Sequence, residues 1–205
     1  MKKIIQKFLL IAGIFVLMGC AGTQPNIPVE QESAAPGTQV AFKGKTHRLL
    51  GDPIAVGEKL PETKVVNPKT MEEVNLSGFR GRVLFISVVP SLDTKVCDTQ
   101  THYLGEEGDK LSEDIQRITI SRDTPFAQNR FAEEADLTDI QYYSDYKSGQ
   151  FGRSTGLLVD DLMLLARSVI LVDRNGQIRY IQVVPEITHL PDMETAFEKA
   201  SQMAK

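Results

Sequence analysis

From Val83 to Val89 every residue but Ser87 is apolar, and the run stops at Pro90. A run this short and this rich in β-branched residues predicts a strand buried on both faces. Arg117 to Ser121 predicts a second core strand and Ser168 to Val172 a third. Between the first two, the pattern predicts a helix from about Thr94 to Leu111. Thr124-Pro125 opens another, with Thr as cap and Pro at the first helical position. Asp173-Arg174-Asn175-Gly176 reads as a turn, with Gln177 to Val184 returning as a strand. Pro191 to Met203 has the spacing of an amphipathic helix. Upstream, Val65-Val66 and Val74-Asn75-Leu76 flank Asn67-Pro68-Lys69-Thr70, a smaller hairpin. From about residue 40 onward, then, strands and helices alternate. That pattern predicts an α/β domain with a central sheet covered by helices on both faces.

The first forty residues follow a different pattern. Lys2, Lys3 and Lys7 make a basic start, and Phe8 to Met18 is apolar or Gly throughout. Eleven residues are too few to span a bilayer as a helix, which takes about 20. This is the shape of a secretory signal. It ends in Leu17-Met18-Gly19-Cys20-Ala21, which resembles a bacterial lipobox, in which the Cys is lipidated and becomes the mature N-terminus. The alternative is a cleaved signal or a short buried helix with an incidental Cys. Residues 21–40 are rich in Pro, Gly, Ser, Thr, Gln and Glu, and read as a flexible tether. The expected organisation is therefore a signal over 1–20, a tether over 21–40 and a domain over 41–205. A lipoprotein of this kind is held by its lipid to the extracytoplasmic side of a bacterial membrane, in the cell envelope.

Composition narrows the function. Hydrophobic residues make up 41% and charged residues 24%, an ordinary globular balance. The formal charge of −4 becomes −7 once the three lysines of residues 1–20 are removed. So acidic a surface gives no electrostatic reason to expect nucleic-acid binding. Cys20 and Cys97 are the only cysteines. No CxxC pair exists, which excludes a disulfide framework and argues against a cysteine zinc site. No cofactor is implied.

Cys97 follows the strand 83–89 by a short turn. Asp93 or Thr94 can cap the next helix, which puts Cys97 in its first turn. Unpaired N–H groups and the helix dipole favour an anion there, and the thiolate is the nucleophilic form of cysteine. Thr94, three residues earlier, can set its hydroxyl on the same side to hold a peroxide oxygen or the thiolate. Pro90 can shield the site from water. The competing reading is a buried, inert cysteine, common for this residue type.

Val89-Pro90-Ser91-Leu92-Asp93-Thr94-Lys95-Val96-Cys97 is very similar to the active-site segment of bacterial thiol peroxidases, a peroxiredoxin subfamily. The family pattern is Pro-Ser-(Ile/Leu)-Asp-Thr-x-Val-Cys, and every fixed position matches. Gln100-Thr101, Thr124-Pro125-Phe126-Ala127-Gln128-Asn129-Arg130-Phe131, Leu164-Leu165-Ala166-Arg167, and Val184 to Thr188 with Pro191-Asp192 resemble further family segments in the same order. The resemblance implies a thioredoxin-like fold with an N-terminal β-hairpin, and a homodimer. It implies peroxidatic Cys97, Thr94 orienting the peroxide, Arg167 as a fixed positive charge and Pro90 as a screen. The implied substrates are hydrogen peroxide and organic hydroperoxides, reduced through a sulfenic acid on Cys97.

One departure matters. Members usually carry a resolving cysteine at the position held here by Ala132. A lipidated Cys20 is blocked, so the internal disulfide of the family cannot form. The expectation is a one-cysteine cycle, with an external thiol or a thioredoxin- or glutaredoxin-type protein as reductant. The alternative is a non-turnover redox sensor or binding lipoprotein. A disulfide oxidoreductase or copper chaperone needs paired cysteines or a Cys/His metal set, which the sequence lacks. His47, His102 and His189 are scattered; His102 is expected on the surface. Asp93 is expected as a cap or brace, and Asp160-Asp161 could ring the substrate entrance.

Overall fold

The computed structural model describes residues 26–205. The signal segment, Cys20 and its lipidation, and residues 21–25 lie outside the described residues. Strands β1 (Gln39–Phe42) and β2 (Lys45–Leu50) form an antiparallel hairpin. Lys43 and Gly44 at its tip both take positive φ, 51° and 76°, the two-residue turn that matches strand twist. A second hairpin pairs β3 (Lys64–Val66) with β4 (Glu73–Asn75). The core follows as β5 (Val83–Val88), α1 (Lys95–Glu106), β6 (Ile115–Ser121), α2 (Pro125–Glu134) and β7 (Gln141–Ser144). Then come α3 (Gln150–Thr155), β8 (Leu158–Val159), β9 (Ser168–Val172), β10 (Ile178–Val183) and α4 (Met193–Ala204).

Seven strands make one mixed sheet in the order β10-β9-β5-β6-β7-β3-β4, and β1-β2-β8 make a smaller one. β5, β6 and β7 run parallel; β9 is antiparallel to β5. All of β5 is buried. Its alternate residues divide between two cores: Val83 and Phe85 face α1 and α4, while Leu84, Ile86 and Val88 face α3 and the smaller sheet. Helices thus lie on both faces, as expected. One face, though, carries only the short α3 and is closed mainly by β1, β2 and β8.

Two expectations need correction. The helix begun at Thr94 ends at Glu106, not Leu111, and continues as a 3-10 turn over Glu107–Lys110. The guanidinium of Arg117 on β6 donates to the carbonyls of Leu104 and Gly105 at 3.2 and 3.0 Å, satisfying the helix end. It packs against Gly108 so closely that a Cβ there would lie 1.6 Å from it. The expected tether over 21–40 also fails for its second half, because that stretch is tied to the domain. Ala34 N donates to Val183 O and Glu30 N to Leu190 O, each at 2.8 Å. Gln182 Nε2 donates to the carbonyls of Glu30 and Glu32, and His189 pairs with Glu30. The strap is polar, yet β10 is an edge strand whose backbone needs partners, and the strap supplies them.

The segment after β10 is latched to the first hairpin. Ile187 N donates to Ala41 O at 2.9 Å, and the Glu186 carboxylate accepts from Lys43 N (3.0 Å), Gly44 N (2.9 Å) and the Thr188 hydroxyl (2.7 Å). Burial alone would push this carboxyl up. The N–H and hydroxyl donors from Gly44, Thr188 and Lys43 outweigh it and hold the group below the ordinary 4.5. A carboxyl so depressed adds stability that is present above its unfolded pKa and is lost as pH falls through its folded one. Glu186→Gln is therefore expected to lower the melting temperature at pH 7, with the gap from wild type closing as pH drops below about 4.5. Thermal unfolding across pH 3–8 checks it; a gap independent of pH would contradict the latch.

Candidate active site

β5 delivers the chain to the site. Val89 N extends its pairing by donating to Ile120 O at 2.9 Å, and the turn Pro90–Thr94 follows. Thr94 is the N-cap of α1 in backbone terms (φ −110°, ψ 142°), but its side chain makes no capping bond. The hydroxyl donates instead to Ser91 O at 3.1 Å. With its hydrogen so placed, Thr94 Oγ1 remains an acceptor facing the cavity. The first helical bond is Asp98 N to Thr94 O. Lys95, Val96 and Cys97 therefore keep backbone N–H groups without helical acceptors, at the positive end of the dipole.

Arg167, next to β9, reaches across to this helix start. Its Nε donates to Ile187 O (2.9 Å), one terminal nitrogen to Gln100 Oε1 (2.7 Å) and the other to Cys97 Sγ (3.2 Å). Gln100 Nε2 in turn donates to Ser87 Oγ on β5 at 2.8 Å. Arg167 is 2% exposed and Cys97 has no exposed surface. Burial pulls the guanidinium below its ordinary pKa, while the sulfur's charge and hydrogen bond push it back up. Guanidinium loses its proton only at very high pH, so the group stays a cation. One donor of this cation reaches the sulfur, and the bonds to Ile187 O and Gln100 Oε1 hold the guanidinium in place.

Above lies a cavity of about 430 Å³ lined by Pro90, Thr94, Val96 and Arg167, and by the apolar Phe42, Leu162, Leu164 and Ile187. The four residues singled out from sequence, Cys97, Thr94, Arg167 and Pro90, are thus brought together. Of two other expectations, Asp93 takes one of its two expected forms, and Asp160-Asp161 do not ring the cavity. Asp93 is exposed and pairs with Arg130 of α2 at 3.3 Å, so it braces the turn rather than capping the helix. Asp161 is held by His47 (2.6 Å) and Lys45 (3.6 Å) and does not line the cavity, although its neighbour Leu162 does. His102 sits between Asp98 and Glu106 on the outer face of α1. Among the described residues no cluster could hold a metal ion, and Cys97 is the only cysteine. Ala132 is buried on α2 in the same core as Cys97.

Sequence reading missed Gln100 as a partner of Arg167, and it missed Asp123 altogether. Asp123 accepts from Ser91 Oγ at 2.8 Å and from Leu92 N at 2.7 Å. Its carboxylate therefore fixes the turn whose Ser91 carbonyl orients Thr94. Nothing local marks it, because the partners are about 31 positions apart in the chain. Asp123→Ala is expected to slow the reaction of Cys97 with hydroperoxide about tenfold, as a positioning loss. Asp123→Asn, which can still accept from Leu92 N, should keep most of the rate. Stopped-flow measurement of one turnover decides it, and an Asn variant as slow as Ala would contradict positioning by hydrogen bond.

The redoxin family pattern matches residues 55–197. The chain is 38% identical to the thiol peroxidase of Bacillus subtilis over 167 residues, 82% of this chain and 99% of that protein. It is 42% identical to the thiol peroxidase of Listeria innocua over 165 residues, 80% and 99% of the two chains. Among solved structures, a peroxiredoxin-like protein from Aquifex aeolicus superposes with a TM-score of 0.76 at 32% identity, covering 84% of this chain and 99% of that one. A thiol peroxidase from Chromobacterium violaceum gives a TM-score of 0.67 at 19% identity, covering 80% and 97%, a likeness of fold. With its central mixed sheet between helices, the domain has the thioredoxin-like fold. The chain belongs to the redoxin family, among the bacterial thiol peroxidases, and its activity is that of a thiol-dependent peroxidase.

Proposed function

We propose that Cys97 is the peroxidatic nucleophile, with Thr94, Arg167 and Pro90 as its working partners. The observation that carries this is the 3.2 Å contact from Arg167 to Cys97 Sγ at the start of α1, beneath an open cavity. The Cys97 thiolate attacks the terminal oxygen of the hydroperoxide in line with the O–O bond. The S–O bond forms as O–O breaks, leaving Cys97 as sulfenic acid. The departing oxygen takes a proton to become an alcohol, or water when the substrate is hydrogen peroxide. Thr94 Oγ1 accepts from the substrate O–H and aims the bond. Negative charge moves from sulfur onto oxygen during the step, and Arg167 with the free N–H groups of α1 stands where it arrives. Pro90 keeps water from the sulfur.

The apolar lining from Phe42, Leu162, Leu164 and Ile187 favours alkyl hydroperoxides over hydrogen peroxide. With no second cysteine in the described domain, reduction comes from outside. An external thiol attacks the sulfenic sulfur, expelling water, and a second thiol releases its disulfide and regenerates Cys97. Because Cys97 is fully buried, a small thiol entering through the cavity suits the folded site better than a protein thiol. The lipobox-like Leu17-Met18-Gly19-Cys20 supports lipidation at Cys20, which tethers the enzyme to the extracytoplasmic side of a bacterial membrane; the subunits pair as a homodimer.

Treatment with one equivalent of cumene hydroperoxide and dimedone is expected to tag Cys97, read by peptide mass. An untagged Cys97 after peroxide has been consumed would remove its role. The mass of the N-terminal peptide from a bacterial host tests the anchor: an unmodified Cys20 contradicts it.

A further inference from the structure

Val40, His47 and Leu49 are the buried positions of β1 and β2, and His47 is the polar member of the three. It is 4% exposed. Its Nδ1 donates to Asp161 Oδ1 at 2.6 Å, because an ionised carboxylate can only accept. That bond holds the Asp161 carboxyl below its ordinary range. The other ring nitrogen, Nε2, is buried without a hydrogen-bond partner among the described residues. An apolar side chain would avoid that loss, so stability does not account for a histidine here. A break in a local rule of this kind is expected where function imposes it.

Both contacts of His47 lead to the substrate cavity, although His47 itself does not line it. On one side its ring packs against that of Phe42, with centroids 6.4 Å apart, and Phe42 lines the cavity. On the other side Asp161 immediately precedes Leu162, which lines the cavity too. Leu162 sits on the tip of a tight reversal. Met163 N donates to Val159 O and Val159 N to Leu164 O, each at 2.8 Å, and Met163 takes a φ of 52° at the turn. The main chain of the tip is tied to β2 by Asp160 N donating to Arg48 O at 3.0 Å. Its side chains are tied to β2 by Asp161, to His47 and, at 3.6 Å, to the exposed Lys45. An exposed lysine at that distance contributes little, which leaves His47 as the holding partner. The returning leg passes Leu164, also a cavity residue, and reaches Arg167 three positions later.

We propose that His47, acting through Asp161, fixes Leu162 relative to Phe42 and so determines how well the cavity grips the organic group of a hydroperoxide. The proposal rests on the reading of Cys97 as the peroxidatic nucleophile beneath this cavity. His47 is a positioning residue for specificity. An apolar wall held in place by a buried bond keeps its contact with an alkyl or aryl group, and contact with even one methylene changes a rate by about tenfold or more. Hydrogen peroxide has no organic group to set against Phe42 and Leu162. Its reaction depends on Cys97, Thr94 and Arg167 and not on the wall.

Rapid mixing of the full chain with cumene hydroperoxide or with hydrogen peroxide gives two rate constants for oxidation of Cys97, and their ratio is the readout. The variants are His47→Leu, Asp161→Ala, Asp161→Asn and the double variant of His47→Leu with Asp161→Ala. The ratio of the cumene to the hydrogen peroxide constant is expected to fall about tenfold in His47→Leu and in Asp161→Ala, and no further in the double variant, because the two act as one unit. Asp161→Asn keeps an acceptor oxygen for Nδ1 and should hold most of the ratio. His47→Leu should melt no lower than wild type, since it removes the unpaired Nε2. An unchanged ratio in both His47→Leu and Asp161→Ala overturns the proposal. So does an equal fall of both rate constants with earlier melting, which assigns the pair to folding. A further fall in the double variant, or an Asn variant as poor as Ala, overturns the coupling through this bond. Should His47→Leu fail to fold, the Asp161 variants decide, because that side chain is 52% exposed and its loss opens no core. Each of these results leaves Cys97 as the nucleophile, whereas a wild type in which neither peroxide oxidises Cys97 overturns both readings.

Discussion

Arg167→Lys is expected to slow the reaction of Cys97 with hydroperoxide by about two to three orders of magnitude, the cost of removing a preorganised donor from a transition state. Arginine spends its nitrogens in three directions here: on Ile187 O, on Gln100 Oε1 and on Cys97 Sγ. Lysine carries the same charge as a single compact ammonium and cannot meet all three at once. Whichever partners it abandons stay buried, because Gln100 and Ile187 are both inside the protein. A buried acceptor left unpaired costs about 1–3 kcal/mol, so the variant should also melt earlier. Charge alone is therefore not the contribution; a planar cation held at fixed distance from sulfur is. Rapid-mixing kinetics with cumene hydroperoxide measures the first effect and thermal unfolding the second. A lysine variant within threefold of wild type would show that positive charge suffices and that the three-way grip is incidental.

Thr94→Val is expected to lower the same rate constant about a hundredfold with little change in stability, while Thr94→Ser keeps most of the activity. Valine preserves the shape and removes the hydroxyl. Thr94 is exposed to the cavity side, so the substitution buries no polar group and opens no hole. What disappears is the acceptor that aims the substrate O–O bond, since the hydroxyl hydrogen is already placed on Ser91 O. Orientation is worth this much when a reaction demands in-line approach. Alkylation of Cys97 by iodoacetamide needs no such alignment and should change little in either variant. Parallel loss of both reactions in Thr94→Val would assign Thr94 to holding the helix start rather than the substrate.

Much of this was legible along the chain because the relevant signals are local. The apolar run at Val83–Val89 gave a strand buried on both faces, and the hydrogen-bonded hairpin at Asp173–Gly176 followed from Asn-Gly chemistry. Thr124-Pro125 marked a helix start that the structure caps as expected, with the Thr124 hydroxyl accepting from Ala127 N. Cys97 could be placed in a first turn from strand length and cap residues alone. Arg167 was different. Its own segment gave no reason to expect a buried cation, and only the resemblance to thiol peroxidases pointed to it. Asp123, Gln100 and Glu186 act on partners far away in sequence, and no period or motif encodes a contact made by folding. The resemblance implied an N-terminal hairpin, but the residue pattern did not mark β1 and β2, because their exposed faces dilute the apolar signal; His47 fills one inward position of Lys45–Leu50. Composition misled at residues 29–34, where a polar strap docks by backbone hydrogen bonds that composition does not register.

The central claim is catalytic turnover through one cysteine. It is tested most directly by following cumene hydroperoxide consumption by the mature chain with excess small thiol, alongside Cys97→Ser. The account predicts many equivalents of alcohol formed per chain, oxidised thiol in matching amount, and no consumption above background by Cys97→Ser. Consumption that stops near one equivalent per chain, with Cys97 left as sulfenic or sulfinic acid whatever thiol is supplied, would contradict it.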